Sequence, residues 1–267
     1  MKSSFRMNEC SKSSLQNIIK QMMIVDKYIN IRINENYVDS SSYLPAHDVV
    51  KYMKIPNNTL FSNPYDLDKP IRMSFITGAK LLILLSQFEN DETVDIEVYY
   101  DDQSDGDEYY AMKVVFIGKN LEITEVCADQ RFDSINIKPI PDDTMARLLD
   151  TSDSVLDFQI TKEDLRSIKS LGTIDKDCKR FEYVVNNGEV SIRERSDYDV
   201  EDSVIYNKVL TTVEGAEDEK YICNKNVFGV MNHSGDYAVQ VCIGEPISKV
   251  VYTHDSDGLT INVIACI

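Results

Sequence analysis

Three histidines, His47, His233 and His254, are the side chains here whose ordinary pKa suits proton transfer near neutrality. His47 sits in PAHD, His233 near a helix end and His254 in the polar turn THDSDG, and each reads as a surface histidine. The six cysteines, Cys10, Cys127, Cys178, Cys223, Cys242 and Cys266, are scattered with no C-x-x-C pair. Such spacing fits reduced, mostly buried thiols of a cytosolic protein, and no histidine stands at ligand spacing to complete a zinc site. The acid-rich stretch Asp101–Glu108 resembles the start of a calcium loop only loosely. Met112 falls where the bidentate glutamate belongs, so a solvated hairpin tip is the expected structure. No G-x-x-x-x-G-K-[ST], G-x-G-x-x-G, H-E-x-x-H or G-x-S-x-G occurs. No catalytic residue, metal or cofactor is assigned, and the chain is expected not to be an enzyme.

The charges carry more information. With 45 acids against 28 bases the chain has a formal charge of −17, which as a whole repels nucleic acid and anionic membrane. The bases, however, collect on four segments of helical pattern, 11–23, 77–88, 161–171 and 223–233. Proportional sampling would place about eight acids in those 47 residues. Only Glu163 and Asp164 occur there, against Lys12, Lys20, Lys80, Lys162, Arg166, Lys169 and Lys225. The four segments therefore hold +5 and the rest of the chain −22. Lys162, Arg166 and Lys169, at i, i+4 and i+7, form one stripe beside Leu165 and Ile168, and Lys12, Gln16 and Lys20 form a similar one beside Leu15, Ile18 and Ile19. Aligning Leu15 with Leu165 also aligns Lys12 with Lys162. A solvated lysine on a helix face ordinarily does nothing. A basic face free of acids attracts phosphate without reading sequence.

The elements that must position these residues are mostly strands. Tyr28–Ile33, Val94–Tyr99 and Val190–Arg193 alternate, and Tyr237–Cys242, Lys249–Tyr252 and Leu259–Ala265 continue the pattern. Asn186-Asn187-Gly188 between Phe181–Val185 and Glu189–Arg193 predicts a hairpin turn, because Asn and Gly accept positive φ. Leu15, Ile18, Ile19 and Met22 share one helical face. Thr77 is a possible cap for the second helix, and Thr161 with Asp164 approximates a capping box for the third. Gly229 weakens the fourth.

KVVFIGKNLEITEVCA from Lys113 returns as KVVYTHDSDGLTINVIACI from Lys249, and strand–helix steps recur in the same order in each half. Offsets of this length match two tandem domains. The expected fold is α+β, with two similar domains, 1–128 and 155–267, each of antiparallel sheets and two helices. Residues 129–154, with Pro139, Pro141 and an acid cluster, have the composition of a connector. Its Ile135, Ile137, Ile140, Met145, Leu148 and Leu149 are apolar for an exposed linker. The longest apolar runs, such as Leu81–Leu85, hold five residues, so no transmembrane helix is expected, and MKSSFRMNECSKSS lacks a signal-peptide core.

Duplicated strand-and-helix domains with acid-poor, basic helices in an acidic chain resemble the DNA sliding clamps. The match is to the two-domain kind of proliferating cell nuclear antigen and T4-like bacteriophages. TKEDLRSIKSL followed by FEYVVNNGEVSIRER carries the resemblance, with YICNKNVFGVMN followed by AVQVCIG and KVVYTHDSDGLTINVIA. It implies a closed homotrimeric ring whose helices line the hole, so that Lys12, Lys20, Lys80, Lys162, Arg166, Lys169 and Lys225 face double-stranded DNA non-specifically. It implies a partner-peptide pocket beside the connector, for which Ile135, Ile137, Ile140, Leu148 and Leu149 are candidates, bordered by Ala265 and Ile267. The same apolar residues could instead pin the connector to the sheets. A DNA polymerase and an ATP-driven clamp loader would be the partners, with no membrane. Subunits would meet through edge strands, among them Tyr110–Ile117. A viral or bacteriophage source, and so a host-cytoplasm location, would fit the divergence.

Other readings stay open. A monomeric viral processivity factor of the same fold would bind DNA by direct affinity. An acidic, duplicated structural or adaptor protein, such as a virion component, predicts no helix charge asymmetry. A hydrolase using the Asp101–Glu108 carboxylates predicts metal-dependent activity lost on Asp105→Asn.

Overall fold

The alternation read in the sequence becomes strand throughout, because a strand places successive side chains on opposite faces of its sheet. The computed structural model describes residues 2–62, 67–89, 93–102, 106–128, 140–171, 180–195, 204–232 and 234–267. Contacts divide the chain into two units. One comprises Met1–Ser42, Tyr52–Ile140 and Asp257–Thr260, and the other Tyr43–Lys51, Pro141–Ser256 and Ile261–Ile267.

The first unit runs β1 (Lys2–Ser11), α1 (Lys12–Met23), β2 (Ile29–Ile33), β3 (Tyr37–Tyr43), β4 (Val49–Pro56), α2 (Asn57–Leu60), β5 (Ile71–Phe75), α3 (Gly78–Leu85), β6 (Thr93–Asp101), β7 (Tyr109–Ile117) and β8 (Glu122–Val126), except that Tyr43 and Val49–Lys51 belong to the second unit. Its strands follow the order β1-β6-β7-β5-β2-β3-β4, with β8 added on β7. The β5–β7 contact is parallel and covers only Ile71–Arg72 against Tyr109–Tyr110. The rest of that side of β7 pairs antiparallel with β8, from Lys113↔Val126 to Ile117↔Glu122. Strand β7 is thus interior, and among the described residues β8, not Tyr110–Ile117, is an edge. In β6 the alternation is literal: Val94, Ile96 and Val98 are buried, while Asp95 and Glu97 point outward. Beneath the sheet, α1 buries Leu15, Ile18, Ile19 and Met22 and packs beside α3, which buries Leu81 and Leu85.

The second unit runs α4 (Asp142–Leu149), β9 (Ser154–Ile160), α5 (Lys162–Leu171), β10 (Arg180–Asn186), β11 (Glu189–Arg195), β12 (Val204–Thr212), β13 (Lys220–Asn224), α6 (Asn226–Val230), β14 (Tyr237–Cys242), β15 (Lys249–Ser256) and β16 (Leu259–Cys266). Strands β9-β14-β15-β16 neighbour one another in that order, and β12-β11-β10-β13 form a separate four-stranded sheet. Asn187 at φ 49° and Gly188 at φ 78° make the expected two-residue turn between β10 and β11. The core is a run of aromatic rings. Phe158 meets Tyr183 at 5.2 Å, Phe181 meets Phe228 at 5.3 Å, and the buried Tyr183 and Tyr252 hydroxyls are 3.0 Å apart.

Two segments depart from expectation. Helix α4 lies where the composition indicated a connector. Pro141 opens it, Asp142 and Asp143 face its positive end and Arg147 its negative end, and Met145 and Leu148 are buried one turn apart. The fourth expected helix shrinks to Asn226–Val230. Cys223 belongs to β13, and the Asn232 amide donates to the Tyr237 hydroxyl at 2.9 Å instead of continuing the helix. Among the described residues, no helix is long and apolar enough to cross a membrane.

Candidate nucleic-acid interface

Helix α5 is built to hold its basic stripe in one orientation. The Thr161 amide donates to Asp164 Oδ2 and the Asp164 amide donates to Thr161 Oγ1, both at 3.1 Å, so aspartate completes a reciprocal capping box. Asp236 Oδ1 accepts from the Lys162 amide at 2.7 Å, satisfying another free donor of the first turn. Leu165 and Ile168 are buried at 0% and 1% exposure and fix the helix by its apolar seam. Lys162, Arg166 and Lys169 are then left exposed, and none of the three has an ion pair or a side-chain hydrogen bond among the described residues. Glu163 is exposed nearby, while Asp164 is taken by Lys208 Nζ at 2.7 Å.

The other predicted cations divide. Lys20, in the last turn of α1, is exposed and has no ion pair among the described residues. Lys80 is exposed on α3, and its ammonium sits 2.8 Å from Glu125 of β8. Lys225 is mostly covered, 2.8 Å from Glu194, a carboxylate only 1% exposed. Lys12 corrects the sequence reading outright. It is buried, and its ammonium donates to the Phe88 and Glu89 carbonyls at 2.8 and 2.7 Å. Its flank of α1 lies against the chain leaving α3, where carbonyls past the helix end need donors. Thr77 does occupy the cap position of α3, but its side chain makes no capping hydrogen bond.

The apolar candidates also divide. Leu148 and Ala265 are buried at 5% and 0%, so they belong to the core and present nothing to a partner. Ile140 and Leu149 are half-buried, and Ile267 is 39% exposed. Ile135 and Ile137 lie outside the described residues. Lys249 Nζ donates to the Arg147 carbonyl, which binds β15 to the end of α4, and the Ile267 amide donates to the Ser248 carbonyl at 3.0 Å. Ile243, 45% exposed, begins the loop that contains Ser248, and sequence reading passed over it. Its signal is an apolar residue that continues Val241 and Cys242 past the end of the strand, just before Gly244.

The residues weighed for catalysis have structural partners. His47 stacks on Tyr43 at 4.4 Å, and His254 Nδ1 lies 2.8 Å from the Asp236 carbonyl. His233, Cys178 and Asp105 lie outside the described residues. Glu108 forms a two-pronged ion pair with Arg72, both bonds 2.8 Å, and Asp102 accepts from the Ser3 hydroxyl. Burial pushes the Cys127 and Cys223 thiols up to about 12, far from the range of a reactive thiolate. A cleft of about 450 Å³ near Asn57 and Phe61 is lined by one titratable side chain, Glu35, among the described residues.

No family model and no curated protein matches the chain. Solved structures match over nearly its whole length. An Archaeoglobus fulgidus structure described as the C-terminal region of FEN-1 bound to PCNA aligns with TM-score 0.62 at 12% identity, over 98% of this chain and 96% of that one. Proliferating cellular nuclear antigen from Entamoeba histolytica aligns with TM-score 0.66 at 10% identity, over 98% of each chain. The chain has the α+β fold of a sliding clamp.

Proposed function

We propose that this chain is a DNA sliding clamp, a non-enzymatic processivity factor that closes around duplex DNA as a homotrimeric ring and tethers a replicative DNA polymerase. The observation that carries the reading is the exposed stripe Lys162, Arg166 and Lys169, without ion pairs among the described residues, on a clamp fold in a chain whose formal charge is −17. A ring holds DNA by topology, so its lining needs only weak, sequence-independent attraction to phosphate, and a negative remainder discourages binding elsewhere.

Ring closure would use the free edges β8 and β12. Among the described residues β8 pairs only with β7, and β12 only with β11. Each carries an exposed apolar residue, Val126 at 71% and Val209 at 48%. Pairing of one subunit's β8 with the next subunit's β12 would satisfy the open backbone groups and cover both side chains. Leu149, Ile243 and Ile267, all in the second unit, are the surface offered to a partner peptide. The A. fulgidus clamp structure, with its bound FEN-1 segment, supports a peptide-binding role. Since the sequence contains no P-loop, opening of the ring falls to a separate ATP-driven loader. A bacteriophage or other viral origin would put the ring in the host cytoplasm.

Mass in solution by light scattering, with retention on circular and linear DNA after loading, tests the reading. A trimer kept on circles and lost from linear ends is expected. Arg166→Glu with Lys169→Glu should impair loading or processivity and leave the trimer intact. A monomer bound equally to both DNA forms would mark a one-chain processivity factor of the same fold. A protein without any DNA association would return the chain to the acidic adaptor class.

A further inference from the structure

The two units differ in the free charge of their helix layers. In the first, Lys12 is committed to two backbone carbonyls and Lys80 to Glu125, which leaves Lys20. The remaining exposed positions of α1 and α3 are Ser13, Asn17, Ala79 and Ile83, all uncharged, and Ile83 is 63% exposed. In the second, Lys225 is committed to Glu194, yet Lys162, Arg166 and Lys169 all stand free among the described residues. The acids on α5 do not cancel them, because Asp164 is engaged by Lys208 and Glu163 is a single exposed charge.

Building on the clamp reading, we propose that each chain attracts duplex DNA through its second unit only. Helix α5 supplies the attraction, and the α1–α3 face is a nearly neutral surface over which the duplex moves. A free cation gains by displacing the counterions condensed on phosphate. A lysine already paired with a carboxylate gains less, since its pair must open first. Uncharged side chains such as Ile83 and Ala79 form no directional bond to phosphate and so impose no register on the duplex. The seven helix cations thus reduce to three free on α5 and one elsewhere among the described residues.

The salt dependence of association between the full chain and a short duplex, followed by fluorescence anisotropy, tests this. The logarithmic slope falls by about 0.9 for each phosphate that the protein ceases to neutralise. Lys162→Gln/Arg166→Gln/Lys169→Gln should reduce the slope by roughly three times the reduction caused by Lys20→Gln/Lys80→Gln. Urea midpoints matching the parent would show that both variants fold, as expected for exposed positions. Equal reductions, or a larger one from the first-unit variant, would overturn the single-unit attraction while leaving the clamp reading in place. A parent protein with no salt-dependent association would overturn this inference, while the clamp reading stands or falls on retention on circular DNA after loading.

Discussion

Lys208 Nζ lies 2.7 Å from Asp164 Oδ1, so an ion pair joins the edge strand β12 to the first turn of α5. Partial burial pushes the Asp164 carboxyl up, but the bonds from Lys208 and from the Thr161 hydroxyl and amide outweigh it and hold the group below its ordinary value. One acid therefore both caps the helix and is withdrawn from the field around its basic stripe.

Asp164→Asn should lower the unfolding free energy by about 1 kcal/mol at neutral pH, a typical cost for weakening a cap. The carboxylate contributes stability that is present above its unfolded value near 3.9 and lost as pH falls through the lower folded value. Urea titrations should accordingly show the gap between parent and variant closing in strong acid. A gap that persists there would mean that the loss comes from packing and not from charge.

Lys225 separates stability from DNA attraction. Its ammonium is the partner of Glu194, which is buried within the β10–β11 sheet, and removing one member of such a pair leaves the other desolvated and alone. Lys225→Met should cost about 3–5 kcal/mol of stability. It should change the salt slope of DNA association little compared with Lys162→Gln. Replacing the pair together, Lys225→Met with Glu194→Leu, should recover most of the lost stability in chemical denaturation.

The wholly buried Lys51 should give the stability curve an alkaline signature. Its ammonium donates to the Val230 carbonyl at the end of α6, yet burial lowers its pKa to about 8. Between about 8 and the ordinary lysine value near 10.4 the unfolded chain binds more protons than the folded one, so stability rises with pH across that window. Relative to Lys51→Met, the parent should gain up to about 1.4 kcal/mol per pH unit there. Denaturation at stepped pH would reveal parallel curves if Lys51 were not desolvated.

Gly188 is required by backbone geometry. It sits at φ 78°, and a Cβ there would lie 2.8 Å from the Val213 carbonyl oxygen, whose own amide donates back to Gly188. Gly188→Val should cost about 1–3 kcal/mol through backbone strain and that clash, read as a fall in the urea midpoint. Gly215, at the same φ but with open space around it, should tolerate alanine better.

Local order was legible wherever it depends on near neighbours. The Asn187-Gly188 turn follows from two residues that accept positive φ, and the reciprocal Thr161/Asp164 cap follows from their spacing. Helix α4 was legible too, in Pro141, the acids after it and the Met145/Leu148 pair, but the prolines and acids of the surrounding segment concealed it. The apolar residues of that segment split according to what covers them. Leu148 is core and Leu149 is half-buried, a difference that neighbouring positions of equal hydrophobicity cannot reveal.

The amino-acid sequence alone determined the strand and helix pattern, the internal repeat and the gathering of cations on acid-poor helices, because periodicity, turn chemistry and composition are properties of neighbouring residues. Only the tertiary structure decided which cations are free. Lys12 and Lys162 hold matching places in their helices, yet Lys12 bends onto the carbonyls of Phe88 and Glu89 while Lys162 stands in solvent. The partners of Lys12 lie 76 and 77 residues along the chain, and Lys162 has no such partner among the described residues. An ammonium's freedom depends on which carbonyl or carboxylate the fold brings within hydrogen-bonding reach, and that distance is set by packing across the chain.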